Sequence, residues 1–435
     1  MQDTALTAFD KGRAMRDLPV GLRRMLGQVD GAGCPAAPRS ATCTLTTSST
    51  GAKTAGPTSP TSSTSNTPPT SRADGFWHTA RVTDFRTWRA ATYFPALDGL
   101  RAMSVLLVMM AHSPGRLFQP FHGRLGVTIF FVISGLLITT LLLRERDEHG
   151  SVSLRAFYVR RACRIFPLYY TALITFSAAV GVGLARHSGD YLRRVLHFLT
   201  FTNEWASPGT FGHSWSLGVE EKFYLVWPVL AFLLPASKRQ PALFASGLWL
   251  ASTTLGLFQP DSPLSFYSPI LGGCLLALAL HNPHGFRRVS ALANPLWSVA
   301  LCALAVALLV TSKDQGRVNV VFGAAVTACF PAVLLGPAWF HAVLRNKPLV
   351  FVGRRAYAIY LFHPLVGSLV AKGITHDAGI WPAAYLLTTL VLTLACADVL
   401  YRILERPMIR LGHRLTQDRL GEQVAVPSWR ASPTA

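Results

Sequence analysis

The sequence predicts an all-α protein, a polytopic membrane bundle of about ten transmembrane helices behind a disordered N-terminal tail. Three observations carry that prediction. Half of the 435 residues are apolar and only 14% are Asp, Glu, Lys or Arg, whereas a typical soluble domain has about 25% charged residues. After residue 90, apolar runs close to the roughly 20 residues needed to cross the hydrocarbon recur to the end of the chain. Before them, residues 40–71 hold 23 Ser, Thr or Pro in 32 positions, with too few large apolar side chains to offset the entropy of ordering the backbone.

The tail comes first. Residues 1–30 are broken by charges every few positions and lack the apolar centre of a secretory signal, so residues 1–90 read as a cytoplasmic Ser/Thr/Pro-rich tail rather than a cleaved leader. A transmembrane domain over 91–412 and a short basic tail over 413–435 complete the expected organisation. The ten spans are placed at 94–113, 125–143, 166–185, 217–235, 241–258, 264–280, 295–311, 318–337, 356–371 and 383–401, and residues 195–202 are apolar but too short to cross. Two connections are unusually long, 144–165 and 186–216, and long connections in compact folds tend to be functional.

The charge balance is strongly basic, with 41 Lys and Arg against 21 Asp and Glu. A basic chain can be a nucleic-acid binder, but here the cations sit between apolar runs. With the N-terminus inside, fourteen Lys and Arg fall in inner loops and eight in outer loops. By the positive-inside rule this places both termini in the cytoplasm of a multi-pass inner (plasma) membrane protein. The charge therefore reports topology, and no nucleic-acid partner is expected. Seven Cys show neither CxxC nor Cys/His metal spacing, so no disulfide framework and no metal follow.

Candidate chemistry begins in the first span. Arg101 and His112 are eleven residues apart, which on a helix returns within about 20° of the same direction after a rise of about 16 Å. Both are expected to face one cavity. An intramembrane Arg is a functional candidate by default, and a neutral imidazole is suited to accept a hydroxyl proton. The plainer readings are an interfacial histidine at a helix end and an Arg101–Asp98 pair one turn apart. Arg161 and Arg164, three residues apart at the start of the third span, are spaced to present two guanidiniums to phosphate, or simply to anchor the membrane edge.

Ser214 to Pro228 opens the fourth span with Glu220 and Glu221 near the outer surface. Glu220 shares a face with Tyr224, while a Ser-capped acidic first turn is the plainer account. Trp215 in the same motif is a candidate substrate contact. Ser134 and Gly135 lie mid-span and suggest close helix packing rather than a nucleophile, since no base is adjacent in sequence. His363, before Pro364, is a further candidate for the same cavity, with packing or hydrogen bonding as the alternative.

These motifs, taken in order, resemble acyltransferase family 3, polytopic membrane enzymes that O-acylate sugars. The resemblance runs from about Tyr93 to Leu411. It rests on the Leu97-Asp-Gly-Leu-Arg101 to His112 segment, Phe130 to Ile138, Phe157 to Tyr170, Ser214 to Pro228, Tyr357 to Pro364, and Tyr401 to Pro407. Ala356 departs from the Ser often found before the Tyr of the ninth span. The resemblance implies an acyl-coenzyme A donor entering from the cytosol, required roles for Arg101 and His112, a nucleotide-holding Arg161/Arg164 pair, and a motif carboxylate at Glu220. Some relatives carry a fused extracytoplasmic esterase-like domain. With about two dozen residues after Leu411, a second transfer step is expected to fall to a separate protein.

The expected function is O-acyl transfer, in the first instance of acetyl, from acyl-coenzyme A to a hydroxyl of a glycan or glycosylated metabolite. His112, Arg101 and Glu220 are the catalytic candidates, and Arg161, Arg164, Asp98, Trp215 and His363 the substrate-contacting ones. No tightly bound cofactor is expected; the partners are membrane lipid, the donor and a carbohydrate acceptor. The alternative is a transporter using the buried Arg and His residues as a substrate or proton pathway, although no internal repeat or pair of broken helices supports it. A weaker third reading is a sensor with its tail as the output.

Overall fold

A computed structural model describes residues 84–422 apart from 92, 115–117, 119–122, 185–190, 206–208, 235–238, 261, 312–314 and 374–380. The expected disordered tail, most of the C-terminal tail and the loop cations Arg116, Arg186, Lys238 and Lys313 lie outside the described residues. Among the described residues all regular structure is helical. In chain order the helices are α1 (Phe85–Ala90), α2 (Pro95–Ala111), α3 (Gly123–His149), α4 (Leu154–Gly181), α5 (Tyr191–Leu199), α6 (Trp215–Phe232), α7 (Pro241–Phe258), α8 (Tyr267–His281), α9 (Pro283–Ala291), α10 (Pro295–Thr311), α11 (Gln315–Leu335), α12 (Ala338–Leu344), α13 (Lys347–Arg354), α14 (Ala356–Gly373), α15 (Trp381–Leu400) and α16 (Arg406–Glu422). A π-helical turn, Tyr401–Glu405, joins the last two.

Each of the ten apolar segments falls on a helix. Among the described residues six helical stretches are long and apolar enough to cross a membrane, and the α9–α10 pair, bent by 73°, makes a seventh if it is one span. The short helices between them are where the local pattern turns amphipathic. α5 spans nine residues, about 14 Å at 1.5 Å per residue, well under the thickness of a bilayer.

The long connection expected over 144–165 is not a loop. α3 runs on to His149 and α4 begins at Leu154, capped by Ser153, whose side chain accepts from the Ala156 amide. Polar residues ended the apolar run without ending the helix, because Arg, Glu and Ala are good helix formers. Arg144 shows what the extension does: it donates to the carbonyls of Trp88 and Ala91 and lies over the Trp88 ring, docking α1 on the end of α3.

The bundle centre is α3. It packs along α8 where Gly135 and Gly273 let the backbones touch: a Cβ on Gly135 would run into the Ile270 carbonyl, and one on Gly273 into that of Val132. Small residues at a crossing replace the hydrophobic drive that lipid does not supply. α2 lies against α3, α13 and α14. Its start is fixed by Gly99 against the Leu344 carbonyl and by Gly353 against the Asp98 carbonyl. Its end is fixed by Gly123 of α3, where a Cβ would press on Ala111.

Candidate active site

Asp98 is buried near the start of α2 and accepts from Tyr93 Oη and from Arg101 Nη1, each at 2.6 Å, with Arg354 at 3.7 Å. The i,i+3 pairing weighed as the plainer reading of Arg101 is thus the one present. Because α2 is continuous helix from Pro95 to Ala111, Arg101 and His112 stay about 16 Å apart along the axis. They do not meet at one reacting atom. Asp98 has its oxygens engaged by this cluster and serves as its anchor.

His112 caps the C-terminus of α2. Its Nδ1 lies 2.8 Å from the Val108 carbonyl, and since a carbonyl only accepts, Nδ1 carries the proton and Nε2 presents a lone pair. The ring is exposed, yet it is not at the rim of the bundle. It packs edge-on to His363 with centroids 5.0 Å apart, and α14 continues ten residues past His363, about 15 Å further. α2 therefore stops partway along α14, with His112 exposed at its end.

His363 is 2% exposed and its Nδ1 donates to the Tyr360 carbonyl at 2.8 Å; its Nε2 is buried without a hydrogen-bond partner. The third member, His213, was not singled out in the sequence beyond its loop. Its Nε2 donates to the Leu361 carbonyl at 3.1 Å and its ring is 5.7 Å from that of His363. What brings it inward is local. Phe201 and Phe211 both adopt left-handed backbone, φ 54° and 62°, a conformation that costs a non-glycine residue about 1–2 kcal/mol. Their rings pay for it by packing on Tyr169, at 4.2 and 5.6 Å. The turn Gly212–Ser214 follows and delivers His213 to the middle of α14.

The inserted turn also corrects the depth of α6. Glu220 was expected near the outer surface in a Ser-capped acidic turn. Instead Ser214 makes no side-chain cap, and Ser216 is hydrogen-bonded to Tyr360 Oη. Glu220 accepts from Ser134 Oγ at 2.6 Å, and Tyr224 Oη donates to the same Ser134 Oγ at 2.9 Å. Ser134 is the twelfth of the 27 residues of α3, so this group sits deep in the bundle. The shared face of Glu220 and Tyr224 is as the helical spacing required. Ser134, read as a packing residue, is instead a hydrogen-bonding one, because its partner comes from a helix 86 residues away.

Arg161 and Arg164 lie on the eighth and eleventh positions of α4, within the helix rather than at its start. Arg161 has its guanidinium 4.9 Å from the Tyr224 ring centroid and 5.8 Å from that of Phe157. Arg164 is exposed. One cation thus belongs to the interior and the other to the surface. Glu221, the second carboxylate of the motif, and Glu405, which the sequence reading did not single out as a site residue, each keep a buried carboxylate oxygen without a hydrogen bond. Trp215 packs at a tilt against Phe266 at 4.7 Å and edge-on to Phe131 at 6.1 Å, between the two polar groups along α6. Among the described residues no cluster of His, Cys, Asp or Glu could hold a metal.

The chain thus carries an imidazole group around His112 and an Arg/Glu/Ser group around Glu220, linked by Ser216 and Tyr360. Comparison with known proteins follows that geometry. A family model described as an acyltransferase domain, acyltransferase family 3, matches residues 94–402. Bacillus subtilis YrhL, provisionally named a peptidoglycan O-acetyltransferase, is 30% identical over 359 residues, 74% of this chain and 56% of the relative. A Staphylococcus aureus protein provisionally named an O-acetyltransferase is 28% identical over 370 residues, 76% and 60%. Listeria monocytogenes peptidoglycan O-acetyltransferase OatA is 28% identical over 357 residues, 74% and 56%. The chain spans less than two thirds of the length of these curated relatives. No solved structure matches it.

Proposed function

This multi-pass membrane chain belongs to acyltransferase family 3, and from that membership we propose that it moves an acyl group, acetyl first, from acyl-coenzyme A to a hydroxyl of a glycan or glycosylated metabolite. The observation that carries the reading is His112, with Nδ1–H tied to Val108 on a ring that is exposed and so leaves Nε2 to accept a proton. In the proposed step Nε2 takes the proton from the acceptor hydroxyl as its oxygen attacks the thioester carbonyl. The carbon–sulfur bond then breaks, and the departing thiolate recovers the proton from the imidazolium.

The ten apolar segments are proposed to cross the inner membrane with both termini cytoplasmic. This puts Arg161 and Arg164 towards the cytosol and the His112 end of α2 towards the outside. The donor's phosphates would meet Arg164 first, and its acyl-bearing arm would reach past Arg161 and Glu220 to His112. Arg101, held by Asp98 and about 16 Å short of His112, would act on donor charge and not on the tetrahedral intermediate. The names of the relatives favour a cell-wall glycan as acceptor.

The two arginines should separate in kinetics. Arg164→Ala should raise the KM for acyl-coenzyme A several-fold with kcat retained, and added salt should weaken wild-type binding more than that of the variant, since an exposed phosphate contact is screened. Arg161→Ala should lower kcat as well, because it unstacks Tyr224 and leaves Glu220 without its nearby cation. Membranes supplied with radiolabelled acetyl-coenzyme A and glycan test the function itself. Label in a covalent glycan ester supports it, and uptake without product would favour a transporter.

A further inference from the structure

We infer that α16 is a docking surface for anionic phospholipid, whose headgroup phosphates meet a row of three arginines while its acyl chains cover the leucines beside them. The inference does not depend on the acyl-transfer reading. α16 continues the last span: Trp381–Thr416 is one helical stretch of 36 residues. At 1.5 Å per residue that is about 54 Å, against about 30 Å of hydrocarbon, so the stretch runs through the bilayer core and on into the headgroup layer. Its exposed apolar surface runs on as well. Leu387, Val391 and Val399 of α15, Ile403 of the π-helical turn, and Leu411 and Leu415 of α16 are between 39% and 68% exposed.

One side of α16 is already covered. Gly412 and Thr416 are buried, and a Cβ on Gly412 would press on Cys163 and Arg160 of α4. At about 100° per residue, Arg406, Arg410 and Arg414 fall on the side turned away from that contact, spread over about 12 Å of helix, and all three are exposed. Residues 406–416 contain no Asp or Glu. Arg402 pairs with Asp398 at 2.8 Å, whereas none of these three has a carboxylate partner among the described residues. Leu411 and Leu415 each follow one of the arginines, so an apolar row lies beside the cationic one. A soluble polyanion would neutralise the arginines and leave the leucines in water. A membrane surface covers both, with the apolar row at the acyl boundary and the guanidiniums reaching to phosphate. Each arginine near an anionic surface strengthens such binding about fivefold.

Amide hydrogen exchange of residues 406–416 tests this, with the full chain in nanodiscs of dioleoylphosphatidylcholine with and without dioleoylphosphatidylglycerol. The anionic lipid should slow exchange there at least about fivefold, since a ligand that binds the closed helix opposes its local opening. Added salt should reduce the slowing. Arg406→Gln, Arg410→Gln and Arg414→Gln combined should abolish it while exchange in α3 stays as in the wild type, and Leu411→Gln with Leu415→Gln should weaken it. Equal exchange of the wild type in the two lipids, a comparison that needs no variant, would overturn the inference. So would slowing that survives in the triple variant. Heparin slowing exchange as much in phosphatidylcholine alone would show that any polyanion suffices and would overturn the assignment to lipid. Protection already complete in phosphatidylcholine would give this face to another segment of the chain or to a second copy, and would overturn it too.

Discussion

Replacing His112 with Ala should lower acyl transfer by about 10²–10⁴-fold, the usual contribution of a positioned general base, with expression and membrane insertion unchanged. The position makes this a clean experiment. His112 lies at the C-cap of α2 and is exposed, so truncation leaves no packed cavity. The Val108 carbonyl that it caps is also in reach of the His112 backbone amide, at 3.2 Å. His112→Gln should be nearly as inactive, since an amide accepts a hydrogen bond but does not take the proton. Turnover by solubilised protein, measured with labelled acetyl-coenzyme A, checks both. Full activity in either variant would remove His112 from the reaction.

The largest expected effect on the fold is at Gly135. A valine there would place its Cβ on the Ile270 carbonyl, and backbone does not yield as a flexible side chain does. α3 and α8 would have to part along their crossing, at a cost of about 3 kcal/mol or more. The expected outcome is loss of monodisperse protein on size-exclusion chromatography in detergent. Gly247→Ala is the matching control: Gly247 lies in α7, and a Cβ there would have nothing within 4 Å. There the better helix propensity of Ala should leave the chain as stable or up to about 1 kcal/mol more so.

The helical class and the positions of the ten apolar segments on helices were legible in the sequence, because hydropathy and helical spacing are local signals. Depth and partnership were not. Glu220 was expected near a surface because it opens an apolar run, yet Phe201 and Phe211 turn the preceding chain inward, and left-handed phenylalanines leave no compositional trace. Ser134 looked like a packing residue since its carboxylate partner is supplied by another helix. His213 was hidden for the same reason: only the fold brings it to His363. The 144–165 segment has the polarity of a connection because charged residues follow the apolar run, yet only Gly150 to Ser153 interrupt the helices there.

The early end of α2 has a bearing on the ion-tightness of the membrane. An enzyme that works within a membrane has to avoid leaking protons, and three imidazoles lie together at the end of α2. Below His112, however, α2 turns Ala102, Val105, Val108 and Met109 into the bundle, each no more than 2% exposed. Apolar packing of this kind holds no water file for protons to hop along. On the α2 side the two polar groups are therefore separated by dry packing, and the polar link that remains between them is the Ser216–Tyr360 hydrogen bond.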